Sequence, residues 1–158
     1  MSDPSILKLP ELIRQFFCQR LCAERHLSSA TVASYRDSFC LLLEFAAKQT
    51  GRAHCQLQLE DLAAPLILKF LDHLEADRGN TVRTRNVRLA AIHAFMRYAA
   101  QQEPTALALS TRVLAIPSKR FERPLLGYLS QPEMQSLLEA PDQSTWTGRR
   151  DALLWELL

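Results

Sequence analysis

At 158 residues and 47% hydrophobic content the chain is long enough for one packed domain, or for one domain and part of a second, and it is not disordered. No apolar run reaches the ~18–20 residues of a membrane span, and the opening MSDPSILKLP lacks the basic start and apolar core of a secretory signal. A net charge of only +2 excludes nothing by itself, so partners have to be read from local charge.

Four glycines and apolar runs rich in Leu and Ala favour helix over strand, so the fold class expected is all-α. Pro10 suits a first helical turn, and Leu9, Ile13, Phe16, Phe17 and Leu21 mark an apolar face that should end near His26. Cys18, Cys22 and His26 repeat every fourth residue, but a tetrahedral zinc needs a fourth convergent ligand that is not evident. No metal or other cofactor is expected, and the four cysteines are read as reduced, partly buried thiols. Ser28 is a natural N-cap for a second helix carrying Val32, Tyr35, Phe39, Leu42, Leu43 and Ala46, which Gly51 stops. A third begins around Pro65, buries Leu66, Ile67, Phe70, Leu71 and Leu74, and closes at Gly79.

The fourth helix lies in GNTVRTRNVRLAAIHAFMRYAA, residues 79–100, which holds four arginines and no carboxylate. Asn80 or Thr81 should cap it, with Leu89, Ile92, Phe95, Met96 and Ala99 as its buried stripe. Arg83, Asn86, Ala90, His93 and Arg97 then fall on a line along the opposite face, and Arg85 and Arg88 sit nearer the core edge. A shift of 53 residues aligns Ser28 with Thr81, Thr31 with Thr84 and Phe39 with Ile92, a hint that two similar helices lie side by side. After Pro104 the period is lost, and prolines, a glycine and the cations Lys119, Arg120 and Arg123 read as an extended linker. Ser130 and Glu133 have capping-box spacing for a short helix that breaks at Pro141. A last helix beginning near Thr147 is apolar nearly all round, as if buried in a larger domain, and the chain is expected to be the front or a remnant of a longer protein.

A helix about 10–12 Å across fits the ~12 Å major groove of duplex DNA, and carboxylates on its outer face would repel phosphates. On that reading Arg83, Arg85 and Arg88 position the fourth helix on the backbone, with Thr84 in its first turn. Asn86, His93 or Arg97 reach base edges. The second helix contributes through Ser28, Ser29, Thr31 and Arg36, and the linker cations track phosphate. An ordinary solvated basic face, or one that meets an acidic protein partner, fits the same wheel.

HLSSATVASYRDSFCLLLEFA resembles the opening of the core-binding domain of tyrosine recombinases, the phage-integrase and Xer-type family, and TRNVRLAAIHAFMRYA resembles that domain's last long helix. IPSKRFERPLLGYLSQPEMQSLLEA is similar to the family's linker and first catalytic-domain helix, and GRRDALLWELL to the run before its first catalytic arginine. Ser29 stands where proline is frequent and His93 where arginine is frequent. The resemblance implies a four- to five-helix SAM-like core-binding domain at 1–104, a linker at 105–128, and the first helices of a truncated catalytic domain at 129–158. It implies duplex DNA as partner, a homo-tetramer on DNA for the complete protein and a monomer for this piece, in the cytoplasm at the nucleoid. The family cleaves and rejoins DNA through a tyrosine nucleophile assisted by arginines, a lysine and histidines. The resemblance puts all of these beyond Leu158, so no residue here is assigned to catalysis. A stand-alone DNA-binding regulator and a helical protein-interaction module are the alternatives.

Overall fold

In a computed structural model, which describes residues 8–121 and 130–156, the chain forms two compact units, 1–121 and 122–158. All regular structure among the described residues is helical. In the first unit α1 (Leu9–Gln15) carries Pro10 in its first turn and runs on as a π-helical segment, Phe16–Glu24. One continuous α-helix had been expected there. The wider winding shows in the bond from Arg25 N–H to Arg20 O at 3.2 Å. His26, at φ 45°, turns the chain out of it.

α2 (Ser29–Thr50) is capped by Ser28, whose hydroxyl accepts from the Thr31 N–H, and ends at Gly51 with φ 69°, a conformation that costs glycine nothing. Two short 3₁₀ turns, His54–Gln56 and Leu59–Leu62, bring Leu57 and Leu62 into the core before α3 (Ala64–Ala76). α4 (Val82–Gln102) is capped by Thr81 as Ser28 caps α2, and in both caps the threonine three residues on bonds the capping hydroxyl, at 2.9 and 3.1 Å. The 53-residue echo is therefore a repeated capping geometry. The helices also pack together, with the Phe39 and Phe95 ring centroids 5.2 Å apart.

The segment after Pro104 is not an extended linker at its start. A 3₁₀ turn (Pro104–Ala106) leads into α5 (Leu107–Leu114), and Ala106, Ser110 and Val113 are buried at i, i+4 and i+7. Ile116, 6% exposed, extends that contact. α4 is thus the hub of the unit, packed on α2, α3, α5 and the π-helical segment. Phe16, Phe39, Phe95 and Tyr98 make tilted and edge-to-face contacts at its centre, beside the wholly buried Leu12, Leu42, Ile67, Leu71, Leu89 and Ile92. The four cysteines, expected partly buried, are all free and exposed.

In the second unit Ser130 and Glu133 close a reciprocal capping box on α6 (Gln131–Glu139). α7 (Trp146–Glu156), read from its apolar circumference as a helix that a larger domain would bury, leaves Trp146 (70%), Leu153 (63%) and Leu154 (54%) exposed in this chain. Gly148 is required at its start, since a Cβ there would lie 2.0 Å from the Asp142 carbonyl oxygen.

Candidate nucleic-acid interface

Only part of α4's circumference remains open to solvent. Arg83, Val87, Ala90, Arg97 and Gln101 are exposed, with Ala94 half-buried among them, along one line at helical spacing. The helix carries no carboxylate, and neither Arg83 nor Arg97 forms an ion pair among the described residues. The two guanidinium-bearing positions stand about 21 Å apart along the axis at ~1.5 Å per residue. Between them the surface is small and apolar, and Val87 is 44% exposed. Sequence reasoning passed over Val87 because it is apolar, although its place four residues after Arg83 puts it on this line.

The remaining α4 candidates turn elsewhere. Arg85, expected on the DNA backbone, is 4% exposed; its Nη1 donates to Pro117 O at 3.2 Å and to Asn86 Oδ1 at 3.1 Å. Arg88 is half-buried against α2, donating to Ser38 Oγ at 3.1 Å and Ser34 O at 3.5 Å. Nε of each is buried with no acceptor among the described residues. Asn86, expected at base edges, accepts from Lys119 N–H at 3.0 Å and donates to Lys119 O at 2.7 Å. His93 is half-buried, and its Nε2–H donates to Val113 O at 3.1 Å. Burial pushes its pKa below the ordinary value, more than the bond to Val113 pulls it up, and Arg97 and Arg85 add to the lowering.

These placements give the missing carboxylates a second cause. Most of α4 lies against other elements, where an unpaired carboxylate would be costly to desolvate. Electrostatic demand applies to the exposed line alone.

On α2, Ser29 and Arg36 are exposed, and the Ser28 and Thr31 hydroxyls are committed to the cap. Thr84 plays the corresponding role in α4. Arg36 lies 3.6 Å from Asp37, both well solvated, a pairing that restrains it little. The first turns of α2 and α4 contain no acidic residue, so their unpaired amides and positive dipole ends are unopposed. Contacts between the helices advance together, Arg88 with residues 34 and 38 and Phe95 with Phe39, so both helices begin to the same side of their contact. Lys119 pairs with Glu75 of α3 at 2.5 Å, while Arg120 is exposed and forms no ion pair among the described residues. Arg123 lies outside the described residues. No cluster of three metal-ligating side chains occurs among the described residues, and none of their helices is long and apolar enough to cross a membrane.

Known proteins resemble this chain in sequence. The model of the phage integrase N-terminal SAM-like domain matches residues 13–103. Over 143 residues the chain is 52% identical to "Putative integrase/recombinase y4rC" of Sinorhizobium fredii, covering 90% of this chain and 43% of that protein. It is 43% identical over 145 residues to "Putative integrase/recombinase y4rD" of the same organism, 92% of this chain and 52% of the relative. With the tyrosine recombinase XerC of Pelotomaculum thermopropionicum it shares 28% identity over 142 residues, 90% of this chain and 45% of the relative. The chain therefore spans about half the length of the curated relatives it matches. No solved structure matches it. With more than half of its residues matched by the domain model, the chain belongs to the phage integrase family of tyrosine recombinases.

Proposed function

We propose that this chain is the DNA-clamping portion of a site-specific recombinase that acts in DNA integration or recombination, and that its first unit seats the exposed line of α4 against duplex DNA. The observation that carries this reading is that line itself: Arg83 and Arg97, with no carboxylate partner among the described residues, stand at either end of a small, apolar strip. The arginines neutralise phosphates, and the narrow strip lets the helix approach the groove. Val87 and Ala90 offer methyl groups suited to the C5-methyl of thymine. Ser29, Arg36 and the amides of the α2 first turn add backbone contacts from the neighbouring helix. Arg120, next to the Asn86-bound Lys119, adds a further cation to this surface, and Arg123 follows it in the sequence.

Arg85, Arg88, Asn86 and His93 support the interface from behind. A protein with this surface belongs in the cytoplasm with the nucleoid. Strand cleavage is not assigned to any residue of this chain. Fluorescence anisotropy with a labelled duplex and with a labelled polyglutamate of matched charge tests the reading. Tighter binding to the duplex is expected, and equal affinity would favour an acidic protein partner instead.

A further inference from the structure

From Val113 to Lys119 the chain runs antiparallel along α4, from His93 back to Asn86, and leaves the first unit beside the α4 N-terminus. Residues 116–120 form a strap. Ile116 is buried, Pro117 O accepts from Arg85, Lys119 is held through both backbone groups by the Asn86 side chain, and Lys119 Nζ pairs with Glu75. A side-chain amide that both donates to and accepts from one residue's backbone fixes that residue's position and direction, as a neighbouring strand would. Arg85 adds a buried cation that no carboxylate balances among the described residues, in contact with both Asn86 and the strap.

We infer that Asn86 is a positioning residue: it latches the strap onto α4, so that Arg120, which follows the held Lys119, is kept at a fixed place on the first unit. Asn86 then acts on nucleic acid through Arg120, and not by reading a base. The latch itself stands on protein contacts alone. Its consequence for DNA rests on the function proposed above, and the two parts are tested separately.

The latch is read without DNA, on the full 158-residue chain. Trypsin cuts after Lys119 and Arg120 only when the strap lifts, so the cutting rate follows the open population. Asn86→Ala should raise cleavage at these two bonds about tenfold, the equivalent of one or two net hydrogen bonds, with cleavage after Arg112 unchanged and the thermal midpoint lowered by only a few degrees. Unchanged strap cleavage would overturn the latch. Should Asn86→Ala lose helicity, Asn86→Asp, which keeps the acceptor for Lys119 N–H and removes the donor to Lys119 O, takes its place with the same two outcomes.

The consequence is read by duplex binding of Asn86→Ala, Arg120→Ala and the double variant. If Asn86 works through Arg120, the double variant binds as weakly as the worse single variant, and losses are uniform across sequences. Losses that multiply, or a relaxed preference at one base pair, would overturn the positioning role. If the unaltered chain binds no duplex, the proposed function fails while the protease arm still decides the latch.

Discussion

Arg83 and Arg85 stand two residues apart in one helix turn and should respond to alanine in opposite ways. Arg83 is exposed and unpaired among the described residues, whereas Arg85 is buried against Asn86 and Pro117. Each phosphate neutralised contributes about −0.9 to the slope of log affinity against log salt. With Arg36, Arg83, Arg97 and Arg120 engaged, the slope is about −3.6, and affinity falls about 150-fold between 50 and 200 mM salt. Arg83→Ala reduces the slope by about 0.9 and the fall to about 40-fold. Arg85→Ala leaves the slope alone and instead costs about 1–3 kcal/mol of stability, because Pro117 O loses its donor and the strap its anchor. Anisotropy titrations at four salt concentrations, with urea unfolding of the same proteins, read both quantities. An unchanged slope in Arg83→Ala, or an Arg85→Ala variant that loses slope and keeps its stability, would refute the division between exposed and buried arginines.

Three further outcomes follow from the packing. Phe95→Ala removes a wholly buried ring in contact with Phe16 and Phe39 and should cost about 3–5 kcal/mol in urea unfolding; a loss under 1 kcal/mol would mean that the aromatic cluster is loosely packed. Because the folded-state pKa of His93 lies below its ordinary value of 6.5, its neutral form is favoured on folding, and its contribution is complete above 6.5 and lost as pH falls through the lowered value. His93→Gln should flatten that part of the stability–pH curve, and an identical curve would contradict the assigned environment. Gly148→Ala should disorder the start of α7, seen as faster amide exchange at residues 145–149, since the added methyl meets the Asp142 carbonyl.

Local signals in the sequence were reliable where one residue's chemistry decides the backbone. Ser28, Thr81, Gly51 and the Ser130–Glu133 pair stop or start helices through their own hydrogen bonds or left-handed φ. The buried stripe of α4 was legible for the same reason, being set by helical period. The site was legible only in part. A helical wheel distinguishes one apolar face from its opposite, and α4 has partners on several sides, so Asn86 and His93 were placed outside when backbone carbonyls of a later segment cover them. α5 was missed because it is short and lies between prolines, and its buried positions include Ala106 and Ser110, which carry little hydrophobic signal. The burial of Arg85 has no local signature; it depends on Pro117, 32 residues away.

The reading turns on which surface of the first unit meets a duplex. Amide chemical-shift mapping with a DNA fragment added to the isotope-labelled chain measures this residue by residue. The account predicts the largest changes along Arg83, Val87, Ala90 and Arg97 and in the first turn of α2, with residues 41–49 and 69–78 unmoved. Changes concentrated at residues 41–49 and 69–78 or on α7, with the α4 line silent, would contradict it.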